Sequence, residues 1–110
     1  MLFVSVEDFF EKAALTVRLT REEEKKLAIK MKQGDEEARG AIINSYLPMA
    51  AAYVKRAPKA VQTLNTVYLL VQSLEKGVDV YNFEHEGDTF AHHLSWRFRQ
   101  CITRCIADRN

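Results

Sequence analysis

Four polar side chains near the end of the chain have types and spacing suited to contact with nucleic acid. His92, Trp96, Gln100 and Thr103 follow one another at intervals of four, four and three residues. On an α-helix this spacing places all four side chains on one face. Aromatic rings stack on bases, and amides and hydroxyls form hydrogen bonds with base edges. The set therefore predicts a surface that contacts bases.

Three arginines accompany this predicted face. Arg97 and Arg104 stand seven residues apart and flank it, whereas Arg99 projects from another side. Guanidinium groups bind phosphate oxygens through paired hydrogen bonds. The formal net charge of the chain is only +1, so the local arginine excess, not the global charge, favours a polyanionic partner. Spacing alone leaves an alternative open, because a tryptophan on an amphipathic helix is commonly a half-buried packing residue.

The histidines and cysteines raise the alternative of a zinc site, which their spacing disfavours. His93 and Cys101 lie about 12 Å apart along a helix axis, too far to share one ion without ligands from other elements. Cys101 and Cys105 with His85 could form only part of a site. No carboxylate pair, nucleophile with a base or glycine-rich phosphate loop is recognisable. We therefore predict no metal, no cofactor and no enzymatic activity, and we expect both cysteines to be reduced thiols.

The remaining sequence predicts the helices that must position this face. Capping patterns begin helices at Ser5, Thr20 and Asp35, and Gly34 ends the second helix. Pro48 either kinks the third helix or divides it into two, because proline removes a backbone hydrogen bond. The predicted fold is all-α: a compact bundle of four to five helices.

Two longer helices complete the predicted bundle. An apolar helix covers residues 64–80, with Gly77 as a weak point near its end. Thr89 begins the final helix, which runs to about Asp108. Apolar residues at intervals of three and four form its buried stripe: Phe90, Leu94, Phe98, Cys101, Ile102 and Cys105.

Length and composition indicate one globular domain over residues 1–110. The chain has 110 residues, of which 47% are hydrophobic and 28% charged, as is ordinary for a globular domain of this size. No apolar run approaches the length of a membrane span, and the first residues lack the pattern of a signal peptide. We expect a cytoplasmic protein with no membrane partner.

Two segments resemble conserved parts of primary-type bacterial sigma factors. Residues 19–28 (LTREEEKKLA) lead into residues 34–39 (GDEEAR), and Asn44, Leu47 and residues 52–56 follow in the same order as in region 1.2 and the start of region 2. Residues 90–108 (FAHHLSWRFRQCITRCIAD) resemble the helix of that family that melts promoters and reads the −10 element. The resemblance assigns about residues 5–40 to region 1.2 and about residues 41–110 to region 2.

This resemblance implies a transcription-initiation protein that binds RNA polymerase core and recognises and melts a −10-like promoter element, mainly on the non-template single strand. Gln100 and Thr103 match residues that read the upstream end of that element. Trp96 matches the first of two adjacent tryptophans that form a wedge at the melting boundary, and Arg99 matches a neighbouring basic residue. The DNA-binding residues are then His92, His93, Trp96, Arg97, Arg99, Gln100, Thr103 and Arg104.

The chain departs from the family pattern at three places. Arg97 replaces the second tryptophan of the wedge, although a guanidinium can also stack on a base or pair with phosphate. His93 stands where a tyrosine usually lines the pocket for a flipped adenine. The acidic stretch that docks on a coiled coil of the largest polymerase subunit is replaced by residues 67–72 (VYLLVQ). We assign polymerase binding to one apolar set, for which a core role is the open alternative: Val67, Leu70, Val71 and Leu74.

A rival interpretation is a protein-interaction module. The altered stretch 67–72 and the incomplete wedge favour a sigma-like adaptor or decoy that binds polymerase or a regulator without reading DNA. No segment of the chain resembles the helix-turn-helix domain that reads the −35 element. A shortened chain, one half of a split sigma factor with a separate −35-binding protein, and a stand-alone domain all fit that observation.

Overall fold

The structure, a computed structural model, describes residues 2–85, 87 and 89–109, and these residues fold mainly into helices. The helices are α1 (Val6–Ala14), α2 (Arg21–Lys32), α3 (Glu36–Ser45), α4 (Leu47–Arg56), a short 3-10 turn (Lys59–Val61), α5 (Leu64–Val80) and α6 (Phe90–Arg109). The all-α prediction is confirmed, with no strand in these residues. Tyr46 alone separates α3 from α4, and with this pair counted as one broken helix the bundle has five helices, within the predicted four to five.

The predicted helix starts are confirmed by their capping hydrogen bonds. The Thr20 hydroxyl accepts from the backbone N–H of Glu23 at 3.1 Å, and the Glu23 carboxylate accepts from the Thr20 N–H at 2.9 Å. Ser5 and Asp35 each accept from the backbone three residues further on. Gly34 ends α2 with a φ of +93°, a conformation that side chains disfavour.

Pro48 divides the third predicted helix instead of kinking it. Proline lies in the first turn of α4, where the missing backbone N–H costs little because first-turn donors lack helical partners. The preceding Tyr46 has left the helical conformation, with φ −103° and ψ 1°. On either side of this break, α3 and α4 each contact α5.

Helix α5 is the centre of the bundle. It contacts α1, α3, α4 and α6, and its contact with α6 is the most extensive in the fold. Its inward face is buried and mainly apolar, with Thr66 as a buried polar residue beside the apolar set of Val67, Leu70, Val71, Leu74 and Val78. This face joins Phe9 of α1, Ile42 of α3, Val54 of α4 and Phe98 of α6 in one hydrophobic core. None of the described helices is both long and apolar enough to cross a membrane.

Gly77 is a packing position and not the weak point that the sequence suggested. Helix α5 continues through it to Val80, and Gly77 is buried where α6 crosses. A Cβ at this position would lie 3.2 Å from Leu94 Cδ2 and 3.3 Å from Arg97 Cδ. The tertiary contact outweighs the low helix propensity of glycine, because the absent side chain lets α6 approach closely.

Substitution of Gly77 should therefore destabilise the fold through steric overlap. Gly77→Val should lower the free energy of unfolding by about 1–3 kcal/mol, because Leu94 and the Arg97 stem have to move. The matched control is Gly40→Val in α3, where a Cβ meets nothing within 4 Å. It should change stability by less than about 0.5 kcal/mol. Urea unfolding of both variants measures the difference, and equal effects at the two positions would contradict the close approach.

Candidate nucleic-acid interface

Helix α6 presents one apolar face to the bundle, as predicted. Phe90, Leu94, Phe98 and Cys105 are buried, and Cys101 is half-buried against them. Ile102 is also half-buried. At the start of the helix the Thr89 hydroxyl accepts from the His92 backbone N–H at 3.2 Å. The depth and rotation of α6 are therefore fixed by its core side chains, which determines what faces outward.

The opposite face of α6 carries the four polar residues that the sequence singled out. His92, Trp96, Gln100 and Thr103 are all exposed. Trp96 exposes 56% of its surface, so about half of the residue is accessible to a partner. At about 1.5 Å per residue the four span about 16 Å along the helix. That length is comparable to about five stacked nucleotides of one strand.

An open groove of about 870 Å³ borders this face, between α5 and α6. Leu69 and Ser73 line it from α5, and Trp96 lines it from α6. The remaining side chains all come from α6: Arg97, Arg99, Gln100, Cys101, Thr103, Arg104, Cys105, Ala107 and Asp108. The groove thus brings an indole and three guanidinium groups to one surface, as base stacking and phosphate binding require.

Among the described residues that line it, the groove has more positive than negative side chains, since Asp108 is its one carboxylate beside three arginines. The ion pairs found in the described residues join Lys12 to Asp8, Lys32 to Glu84 and Arg39 to Asp79, all outside α6. The three groove arginines form none of them. A groove with unpaired guanidinium groups attracts anions, and the attraction is greatest at low ionic strength.

Arg97 and His93 contact each other, which the sequence interpretation missed. Arg97 Nε donates a hydrogen bond to His93 Nε2 at 3.0 Å. The His93 ring packs against Tyr81, with centroids 5.4 Å apart, and stacks on Phe90 at 6.1 Å. The four-residue spacing was the available signal, since residues i and i+4 are neighbours on a helix. His93 is half-buried, unlike the exposed His92 on the same helix.

The His93 imidazole is favoured in its neutral form. Burial lowers its pKa below the ordinary value of 6.5, and the positive charge of Arg97 lowers it further. Only the neutral ring has a nitrogen that can accept the Arg97 hydrogen bond. The hydrogen-bond geometry and the direction of the pKa shift therefore agree.

The two cysteines are free thiols, as predicted. Burial and the adjacent Cys105 thiol raise the pKa of Cys101 to about 12, so Cys101 remains protonated at neutral pH. Such a thiol is a poor nucleophile and a poor metal ligand without further partners. Within the described residues, no group of three or more histidines, cysteines and carboxylates is placed to hold a metal ion.

The residues assigned to polymerase binding lie in the core. Val67, Leu70 and Leu74 are fully buried and Val71 is 5% exposed, which is the alternative that the sequence left open. Their apolar side chains fill the space between α5 and the helices around it. In this conformation a partner that docks on α5 reaches its outward face instead, where Leu69, Gln72 and Lys76 are exposed.

A polar contact between α2 and the α3–α4 junction was not predicted either. The Tyr46 hydroxyl donates a hydrogen bond to the Glu24 carboxylate. The Tyr46 ring packs edge-on against Phe90, with centroids 4.9 Å apart. Burial raises the pKa of Glu24, and the hydrogen bond from Tyr46 opposes that shift. The contact links the N-terminal helices to the first turn of α6.

Comparison with known proteins agrees with the resemblance seen in the sequence. The chain is 33% identical over 92 residues to the RNA polymerase sigma factor SigA of Listeria monocytogenes and to SigA of Listeria innocua. The match covers 83% of this chain and 24% of each relative, so the chain spans about a quarter of their length. No family profile matches the chain. The chain is thus sigma-factor-like by distant similarity.

The His93 contact predicts a pH dependence of stability with a defined sign. Because the folded state lowers the pKa of His93 from 6.5, the unfolded chain binds a proton more readily. Stability should be fully present above about pH 6.5 and should fall as the pH drops toward the folded-state pKa. Melting temperatures between about pH 7.5 and about pH 5.5 should therefore decline less in His93→Gln than in the wild-type protein.

The control for this measurement is His92→Gln, which removes an exposed imidazole from the same helix. The carboxylates titrate in all three proteins, so the difference between the variants isolates His93. Identical pH profiles for wild type and His93→Gln would contradict the placement of the ring.

Proposed function

We propose that the protein acts in transcription initiation: it binds RNA polymerase core and recognises and melts a −10-like promoter element, mainly through the non-template strand. The observation that carries this proposal is the exposed row of His92, Trp96, Gln100 and Thr103 beside an arginine-lined groove. The distant similarity to two sigma factors supports it. The activity is binding and not catalysis, and its place is the cytoplasm.

Each side chain on the face has a distinct role in this proposal. Trp96 stacks on the last base pair of the remaining duplex, where it replaces a lost neighbour. Gln100 and Thr103 form hydrogen bonds with exposed base edges. Arg99 and Arg104 contact the backbone. His92 extends the row by one helical turn toward the start of α6.

The proposed division of the chain follows the same resemblance. Residues from about 5 to about 40 act as a region 1.2-like segment, and residues from about 41 to 110 act as a region 2-like segment. The Tyr46–Glu24 hydrogen bond supports joint action of the two, because it ties α2 to the residues that pack under α6. Polymerase docks on the outward face of α5, since the inward face is occupied by the core.

A second function, a sigma-like adaptor that does not read DNA, is favoured by one specific observation. Residues 67–72 of α5 contain no carboxylate, whereas the corresponding docking stretch of the family is acidic. Charged rim groups set the rate and register of docking, so their loss changes the partner surface that fits. In this alternative the groove arginines contact an acidic protein surface.

Alanine substitution on the exposed face tests the proposed function. Trp96→Ala and Gln100→Ala should each weaken binding to fork-junction promoter DNA in the presence of core polymerase by about 5- to 150-fold. Trp96→Phe, which keeps a smaller stacking surface, should recover part of the loss. Glu11→Ala, an exposed change on α1, is the control for general surface effects. Fluorescence anisotropy of labelled fork DNA gives the affinities.

The same assay at two salt concentrations separates the two functions. A DNA reader gains affinity at low salt and distinguishes a −10-like sequence from a scrambled one. An adaptor is retained by core polymerase in a pull-down but adds no sequence-dependent DNA binding. Unchanged affinities in folded Trp96→Ala and Gln100→Ala would eliminate the proposed mechanism.

A further inference from the structure

We infer that His93 is a positioning residue that aims the Arg97 guanidinium at a phosphate group of nucleic acid in the α5–α6 groove. This inference rests on the proposed function and deepens it. By resemblance alone, His93 and Arg97 are two independent DNA contacts. The geometry instead makes them one unit, in which His93 orients the Arg97 side chain and Arg97 binds the phosphate.

The acceptor atom of this unit is fixed in space. His93 Nε2 lies 3.0 Å from Arg97 Nε. The ring that carries it packs against two other rings, Tyr81 from the segment after α5 and Phe90 from the first turn of α6, which also contact each other at 5.1 Å between centroids. Phe90 is itself buried. These ring contacts fix the plane of the imidazole, and the hydrogen bond to Arg97 favours the ring orientation that directs Nε2 toward Arg97.

The stem of Arg97 is fixed as well. Its Cδ lies 3.3 Å from the point where a Cβ of Gly77 would stand. The stem therefore occupies the space that the glycine leaves, and Arg97 is part-buried. With the stem against α5 and Nε on His93, few rotamers remain for this arginine.

The free end of Arg97 faces the groove. A guanidinium has five N–H donors, and His93 uses only the one on Nε. The four donors on the terminal nitrogens stay available, and Arg97 lines the groove whereas His93 does not. No carboxylate within the described residues pairs with it. A tetrahedral phosphate oxygen pair matches this planar fork of donors.

Arg99 lies on the same helix but has, among the described residues, no side-chain hydrogen-bond acceptor comparable to His93. Its Nε donates to the Ser95 backbone carbonyl at 3.3 Å, and its side chain is exposed. No ring supports that contact, and the acceptor is a backbone carbonyl and not a side chain. Arg99 is therefore the matched control: equal in charge, but independent of His93.

The contact itself is tested by NMR on the free chain. Arg97 Nε–H should exchange slowly with solvent, and His93 should carry its proton on Nδ1 with Nε2 as the acceptor. Both signatures should vanish in His93→Leu and persist in Arg99→Ala. A His93 ring protonated on Nε2 in the wild-type protein would overturn the inference without bearing on promoter binding.

The positioning role is tested by fork-DNA binding with core polymerase over a series of salt concentrations. His93→Leu should weaken binding by roughly 2- to 12-fold, because Arg97 then has to be ordered at the moment of binding. Arg97→Ala should weaken it further and reduce the salt slope by about one phosphate contact. His93→Gln retains an acceptor at a similar reach and should recover most of the binding lost in His93→Leu.

Double substitutions distinguish a shared role from two separate ones. Adding His93→Leu to Arg97→Ala should cause no further loss, whereas adding it to Arg99→Ala should multiply the two effects. Melting temperatures of each variant establish that it is folded. If His93→Leu weakens binding equally with and without Arg97, or if His93→Gln recovers nothing, the inference is overturned while the proposed function stands. If Trp96→Ala and Gln100→Ala also leave fork binding unchanged, the inference and the proposed function are both overturned.

Discussion

The close approach of α5 and α6 at Gly77 is the constraint on which the candidate interface depends. Without a side chain at this position, Leu94 and the Arg97 stem pack directly against the α5 backbone. This contact fixes the rotation of α6 about its own axis. Because all residues of a helix rotate together about its axis, the orientation that buries Phe98 also exposes Trp96. Core packing of α6 therefore also determines which of its polar side chains are exposed.

The bundle positions the polar residues and the arginines of the interface on one surface. The α6 face that points away from the core has an exposed indole, an amide and a hydroxyl, and arginines stand on both sides of it. The ion pairs of the described residues lie elsewhere. A preordered cationic groove binds an extended anion without first rearranging its own charges, which suits a strand that becomes available only after melting. The His93–Arg97 contact extends this order to one of the groove arginines.

Patterns local in sequence predicted much of the fold. Caps at Ser5, Thr20 and Asp35 and the apolar stripe of α6 follow from spacing of three and four residues, and the structure confirms them. Features that depend on how helices meet were not predictable in this way. Gly77 looks like a weak helix position until α6 is placed on it. The burial of Val67, Leu70, Val71 and Leu74 requires the positions of α1, α3 and α4, and the Glu24–Tyr46 bond joins residues far apart in sequence. The roles of the exposed residues toward DNA depend on a partner, so they remain predictions.

The central claim is that the outward face of α6 contacts bases when the chain is bound to polymerase. Photocrosslinking from a benzoyl-phenylalanine placed at position 96 tests it most directly, with core polymerase and a promoter labelled on each strand in turn. The account predicts crosslinks to the non-template strand at the upstream edge of the melted −10-like element, lost when that element is scrambled. Crosslinks only to polymerase subunits, or to either strand regardless of sequence, would contradict it.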